Sequence, residues 1–306
     1  MKDKIIIGTR GSRLAMIQAN IVASELQRAH PAVQIELCKI MTEGDRNRHL
    51  SIEEAGDTGI FVKALEEALA AGRIAIAVHS LKDMPTELPG GMVLAAVTER
   101  LDPRDALIAT ARLDGLPPGS LIGTGSLRRT AQLKNLRGDL QVVNIRGNVD
   151  SRLRKVGSGE LQGVIVAAAA MLRLGWHDRI TEYLPLESFL PAVGQGALAV
   201  ETRKGDRVIE EYVSVLNHLP TWQAVSAERA FLHAVEGGCR APVAALATVD
   251  GRILKITAMV ADRAGTTIIK RSIEGDARQA ESRGVELAQM MLDSGAAALI
   301  DELRCH

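Results

Sequence analysis

The chain has 306 residues, with 37 Lys or Arg against 37 Asp or Glu, so its formal net charge is zero. Hydrophobic residues make up 46% of it, which excludes disordered, collagen-like and coiled-coil classes and leaves material for two or three domains at roughly 150 residues each. Aromatics are scarce, at three Phe, two Tyr and two Trp. A neutral, aromatic-poor chain has no general attraction for polyanions and no stacking surface, so nucleic acid is not an expected partner. Any anion must be held by a local cluster.

Elements alternate from the start. Ile5 to Gly8 reads as a strand ending at glycine. A helix follows from about Ser12 to Ala29, with Leu14, Ile17, Ile21 and Leu26 on a 3.6-residue period, and Pro31 stops it. Val33 to Ile40 is a strand, Phe61 to Ala71 a helix stopped by Gly72, and Ile74 to His79 a buried strand. A loop at Asp114 to Gly119 separates this from a second α/β series. That series has strands at Ser120–Gly123, Gln141–Ile145 and Gly163–Ala167, and helices at Leu127–Leu136, Val149–Val156 and Ala168–Leu174. After Trp222 the pattern changes to a helix at Ala224–Val235, strands near Val243–Val249, Ile253–Ala258 and Thr266–Ile273, and a last helix from Ala277 to Leu292. The class is α/β with mixed sheets and a small α+β unit at the end. No apolar secretory stretch follows the first residues and no uncharged run of about 18 residues occurs, so a membrane span is not expected and the cytoplasm is the simplest placement. Cys38, Cys239 and Cys305 are odd in number and far apart, which argues against a disulfide framework; no compact Cys/His spacing suggests a metal.

Three clusters carry chemistry. The first is arginine at helix starts: Arg10 and Arg13, then Arg128 and Arg129 after Ser126, then Arg152 after Asn148, a candidate cap. From Leu127 to Lys155 there are six arginines and two lysines against two aspartates. The helix dipole disfavours cations there, so Arg128 and Arg129 need an anionic partner, either an acid of the protein or a ligand. The phrase Gly8-Thr9-Arg10-Gly11-Ser12 is echoed by Gly123-Thr124-Gly125-Ser126, and both lead into helices whose free N–H groups could meet an anion. The second cluster is His79-Ser80-Leu81-Lys82-Asp83-Met84-Pro85 at a strand end. Asp83 is either a proton-handling carboxylate or an Asx turn before Pro85, and His79 is read as a structural hydrogen-bonding residue. The third is Gly237-Gly238-Cys239-Arg240, a loop thiol beside a cation that could lower its pKa.

Together with Asp102-Pro103-Arg104-Asp105, Asn144-Ile145-Arg146-Gly147-Asn148, Gly194-Gln195-Gly196-Ala197 and Glu228-Arg229, these motifs resemble the porphobilinogen deaminase (hydroxymethylbilane synthase) family over nearly the whole chain. The resemblance implies two lobes like those of periplasmic binding proteins, 1–97 with 197–216 and 98–196, a cleft between them, and a C-terminal domain, 217–306. It implies a dipyrromethane cofactor, itself made from substrate and bound by thioether to Cys239. The implied transferase joins four porphobilinogen molecules head to tail, each losing ammonia through an azafulvene-like cation, and hydrolysis releases hydroxymethylbilane. Asp83 is the implied catalytic carboxylate. Lys82, Ser126, Arg128, Arg129 and Arg146 are implied for the cofactor; Arg10, Ser12, Ser80, Arg152, Arg173, Gln195 and Arg229 for substrate and the growing chain. The carboxylates on every pyrrole give the arginine excess a partner. A monomer is expected. Thr58 stands where the resemblance expects a lysine over the cleft, which alters the electrostatics there without touching Asp83 or Cys239. The competing reading is a non-enzymatic two-lobed binder of a small carboxylate, against which the Cys239 loop argues.

Overall fold

A computed structural model describes residues 4–41, 60–235 and 242–304. The described elements run β1 (Lys4–Arg10), α1 (Arg13–Ala29), β2 (Gln34–Ile40), α2 (Ile60–Ala70), β3 (Ile76–Ser80), β4 (Met92–Val97), β5 (Asp105–Ala109), β6 (Leu121–Thr124) and α3 (Leu127–Leu136). They continue with β7 (Gln141–Asn144), α4 (Val149–Gly157), β8 (Gly163–Ala167), α5 (Ala168–Arg173), β9 (Glu182–Tyr183), β10 (Leu198–Arg203), α6 (Arg207–Ser214) and α7 (Leu219–Ala234). The C-terminal part holds β11 (Val243–Asp250), β12 (Ile253–Ala261), β13 (Ile268–Asp276), α8 (Ala280–Met291) and α9 (Ala297–Arg304).

The chain divides into two compact units, 1–100 with 197–222 and 101–196 with 223–306. The first unit has a sheet of order β2-β1-β3-β10-β4. β1 runs parallel to β2 and β3, while β10 is antiparallel to β3 and β4. One face of this sheet buries Ile7, Ile76, Val78, Leu198 and Val200 against Val22 and Leu26 of α1 and Ile209 and Val213 of α6. The other face buries Ala77 against Leu65, Ala68 and Leu69 of α2. The buried stripe of α1 is Gln18, Ala19, Val22 and Leu26; Leu14, Ile17 and Ile21 of the expected stripe lie half-buried on its flank.

The second unit has a sheet of order β7-β6-β8-β5-β9 with the same mixed logic: β6 parallel to β7 and β8, β5 antiparallel to β8. A separate antiparallel sheet, β11-β12-β13, completes this unit. Its core is built from Ala245, Leu254, Ile256 and Ala258 on the strands, Ala227 and Phe231 of α7, and Leu287, Ala288 and Met291 of α8. A shared apolar patch of Ala131, Leu190, Ala244, Leu246 and Met259 joins α3 to that sheet. The fold class is therefore two mixed-sheet α/β lobes with a smaller α+β C-terminal part, as expected from the sequence.

Two sequence expectations change here. Gly8 does not end β1; the strand runs on to Arg10. A Cβ on Gly8 would overlap Ile74 Cδ1, and one on Gly123 would sit against Ile145 and Leu161, so close packing explains both glycines. The helix starts after them are closed by their own serines. Ser12 Oγ accepts Ala15 N–H at 3.2 Å and Ser126 Oγ accepts Arg129 N–H at 3.5 Å. Asn148 occupies the cap position of α4, but its side chain makes no cap bond.

Candidate functional site

In the first unit the buried strand β3 leads into a single 3₁₀ turn, Leu81–Asp83. The segment is tied down around the turn. Gln18 of α1 donates to Ser80 Oγ at 2.7 Å, and Leu81 N–H donates to Ala197 O at 3.1 Å. Leu81 and Met84 are buried, whereas Asp83 is exposed. No described residue bonds to the Asp83 carboxylate, so it forms no Asx turn before Pro85. A carboxylate on a pinned backbone is thus presented to solvent. Lys82 beside it is half-buried, and Arg10 lies at the end of β1.

Beneath this segment, His79 is buried and its Nε2 meets Glu201 Oε2 at 2.9 Å. The histidine is structural, as expected from the sequence. Glu201 was not foreseen, although a lone acid in the apolar run Leu-Ala-Val-Glu-Thr is a signal that a partner must exist.

In the second unit the arginine pair finds its anion inside the protein. Asp105 opens β5 with no exposed surface. Its Oδ2 accepts Arg128 Nη1 at 2.8 Å, and its Oδ1 accepts Arg129 Nη2 at 2.6 Å and Nε at 3.0 Å. Arg128 also donates to Leu190 O and Arg129 to Ile165 O. Burial acts to raise the Asp105 carboxyl, but the two guanidiniums outweigh it and hold it well below the usual carboxylate range. Of the two partners left open by the sequence, an acid of the protein is the one present. Gln195 is also fully buried, with Nε2 donating to Pro103 O at 2.7 Å and Asp105 Oδ1 at 3.0 Å. In this structure Gln195 thereby joins the ion-pair network.

Arg173, at the end of α5, differs from that pair. Its Nη2 donates to Gly196 O at 2.8 Å, its Nε is buried without a partner, and no carboxylate meets it among the described residues. Burial lowers its pKa to about 10, which leaves it cationic at neutral pH. Burial also lowers Arg229 on α7. Arg146 is exposed, and half-buried Arg152 bonds Gly147 O through Nε at 2.9 Å. On the same helix as Arg229, wholly buried Glu228 accepts Gly194 N–H at 2.7 Å and Ala247 N–H at 2.8 Å. Cys239 and Thr58 lie outside the described residues.

These features define a class: a two-lobed α/β protein with an exposed carboxylate at a strand end of one lobe, basic side chains of the kind that bind carboxylates, and a C-terminal α+β part. The chain belongs to the porphobilinogen deaminase family. Residues 5–211 match the porphobilinogen deaminase, dipyromethane cofactor binding domain, and residues 222–293 match the porphobilinogen deaminase C-terminal domain. Porphobilinogen deaminase of Pelobacter propionicus is 47% identical over 298 residues, 97% of this chain and 96% of that protein. The protein of the same name from Syntrophus aciditrophicus is 46% identical, covering 97% of this chain and 98% of its own. A solved structure of the methionine-binding protein MetQ aligns with 74% of this chain and 93% of its own at 12% identity, with a TM-score of 0.44.

The residues present fit the family's dipyrromethane group. Its substituents are carboxylates, and Arg173 supplies a desolvated guanidinium lacking one.

Proposed function

We propose that Asp83 carries the chemistry by which this transferase joins porphobilinogen units, with loss of ammonia, into linear hydroxymethylbilane. The observation that carries this reading is the Asp83 carboxylate itself: exposed, unpartnered among the described residues, and held on a segment bonded through Ser80 and Leu81. Loss of ammonia leaves positive charge on the substrate ring, and a fixed carboxylate stabilises that charge without reorganising. The same oxygens can take the proton that the coupled ring sheds. On the first lobe Arg10, Ser12 and Ser80 would orient substrate carboxylates, and Lys82 those of the cofactor. Arg173, Arg152 and Arg229 would orient substrate carboxylates on the second unit, which also carries Ser126 and Arg146.

The dipyrromethane, bound through Cys239, supplies the primer to which the first unit is joined. Arg128 and Arg129 keep a share in holding it through whatever hydrogen-bonding capacity Asp105 leaves them. The reading keeps the division into 1–97 with 197–216, 98–196 and 217–306, and takes the protein as a cytoplasmic monomer with no nucleic-acid or membrane partner.

The test is purified Asp83→Asn. Folding and cofactor loading, read by circular dichroism and intact mass, should persist while porphobilinogen consumption collapses. Near-normal turnover would sink the assignment of Asp83.

A further inference from the structure

A bonded pair of ionisable side chains, His79 and Glu201, lies in the apolar layer between the first-unit sheet and α2, with Glu66 on the facing helix. Alternation along β3 puts His79 on the same face as Ala77, which packs on α2. On β10, Glu201 pairs with Ala77 and so lies diagonal to His79, which pairs with Ala199. The bond from His79 Nε2 to Glu201 Oε2 joins the two strands one residue before Ser80. Glu66 enters from α2. Oε1 of Glu66 and Oε1 of Glu201 are both buried, and neither has a hydrogen-bond partner.

An apolar layer is an expensive place for two carboxylates with unsatisfied oxygens. Leucine or alanine would fill it at no electrostatic cost, as Leu65, Ala68 and Leu69 do on the same helix. The mechanism uses none of the three groups directly. Their common property is location, under the strand end that carries Asp83.

We propose that His79 and Glu201 are positioning residues for the reaction, a buried hydrogen-bonded pair that clamps the end of β3 to β10 and thereby fixes the Ser80–Asp83 segment, with Glu66 of α2 as the ionisable neighbour that tunes it. When protonated, Glu66 is a donor, which the buried oxygens otherwise lack. Burial, and next the charge of Glu201, raise the Glu66 carboxyl above its ordinary value, with Glu67 adding to them and His79 opposing. Around it, α2 also carries exposed Lys63, β2 carries half-buried Cys38 and exposed Lys39, and β10 carries Arg203, which bonds Leu69 O and Ile74 O and pairs with Asp206. A raised carboxyl retains its proton at low pH and releases it as pH rises through the folded value. An ionised Glu66 adds a second negative charge near Glu201, so the clamp loosens as pH rises through the raised Glu66 value.

This rests on the assignment of Asp83, and the experiment separates the two. Holoenzymes of wild type, Glu66→Gln, His79→Phe, Glu201→Gln and the double variant His79→Phe/Glu201→Gln are compared by kcat and KM across pH, with intact mass confirming the loaded cofactor. His79→Phe and Glu201→Gln should each lower kcat roughly tenfold to a hundredfold, as a displaced catalytic group does, with KM nearly unchanged. The double variant should lose no more than the worse single one, because the two residues act as one unit. Glu66→Gln keeps a donor that cannot ionise, so its kcat should fall less steeply than that of wild type as pH rises. A Glu66→Gln profile that superimposes on wild type, or losses that multiply in the double variant, would overturn the proposal. If the His79 and Glu201 variants do not fold, the Glu66→Gln profile alone decides. An Asp83→Asn enzyme with normal turnover removes the assignment beneath the proposal and so overturns it too, with a signature the other variants do not share.

Discussion

Asp105→Asn probes the second unit most directly. Asp105 is fully buried and accepts from Arg128 Nη1 at 2.8 Å, Arg129 Nη2 at 2.6 Å, Arg129 Nε at 3.0 Å and Gln195 Nε2 at 3.0 Å. Asparagine keeps one acceptor oxygen but puts an NH2 group where Oδ2 met Arg128, donor against donor. It also removes the single negative charge facing two buried guanidiniums. Breaking a buried ion pair from one side costs about 3–5 kcal/mol, because the remaining charge is left desolvated. For a folding unit of 150–250 residues that lowers Tm by roughly 6–20 °C. Scanning calorimetry of both proteins at pH 7 measures it. The pH dependence gives a second reading. The folded Asp105 carboxyl lies far below its unfolded value, so its contribution is complete above about pH 4 and fades as pH falls toward the folded value. The gap between wild type and Asp105→Asn should stay constant near neutrality and narrow in acid. A Tm within about 2 °C of wild type at pH 7, or a gap that widens in acid, would refute the reasoning.

Other outcomes follow from the same structure. Asp83→Asn should lose roughly 10²–10⁴-fold in kcat with an unchanged melting curve, the usual scale for a removed proton-handling group. Cys239→Ala should leave the denatured protein at its polypeptide mass, whereas the wild type should carry the mass of two linked pyrrole units on the peptide containing Cys239. Gly284→Ala should destabilise the C-terminal part by about 1–3 kcal/mol in urea unfolding, since a Cβ there would overlap Ala227 O on α7 and force the helices apart. Arg173→Gln should raise KM for porphobilinogen and leave Tm unchanged or higher, because it removes a desolvated charge that no carboxylate of the described residues compensates.

The sequence singled out the segment around Asp83 more readily than the packing around it. His79 to Pro85 stood out because a charged turn follows an apolar strand, and the structure adds that no described group bonds Asp83. Arg128 and Arg129 stood out because cations oppose the helix dipole. Their partner was not legible, since Asp105 lies 23 residues upstream of Arg128, on strand β5. Glu201 is further still, 122 residues from His79, and only the antiparallel pairing of β10 with β3 brings them together. The strands β4, β5 and β10 were likewise not picked out, because a short apolar run such as Asp105–Ala109 shows no periodicity to distinguish it from loop or helix.

Neutral charge and few aromatics, as composition, bounded the chemistry: no stacking surface and no global polyanion attraction. Local pattern determined the α/β class, most helix limits and the segments that carry reactive groups, because hydrophobic period, glycine stops and serine caps act over a few residues. Tertiary structure alone decided which charges are spent inside the fold and which remain for a ligand. Asp105 neutralises the arginines of α3, Glu201 engages His79, and Arg173 and Asp83 are left without an opposite charge among the described residues. Pairing energies depend on distance and desolvation, and both arise only when residues remote in sequence are packed together.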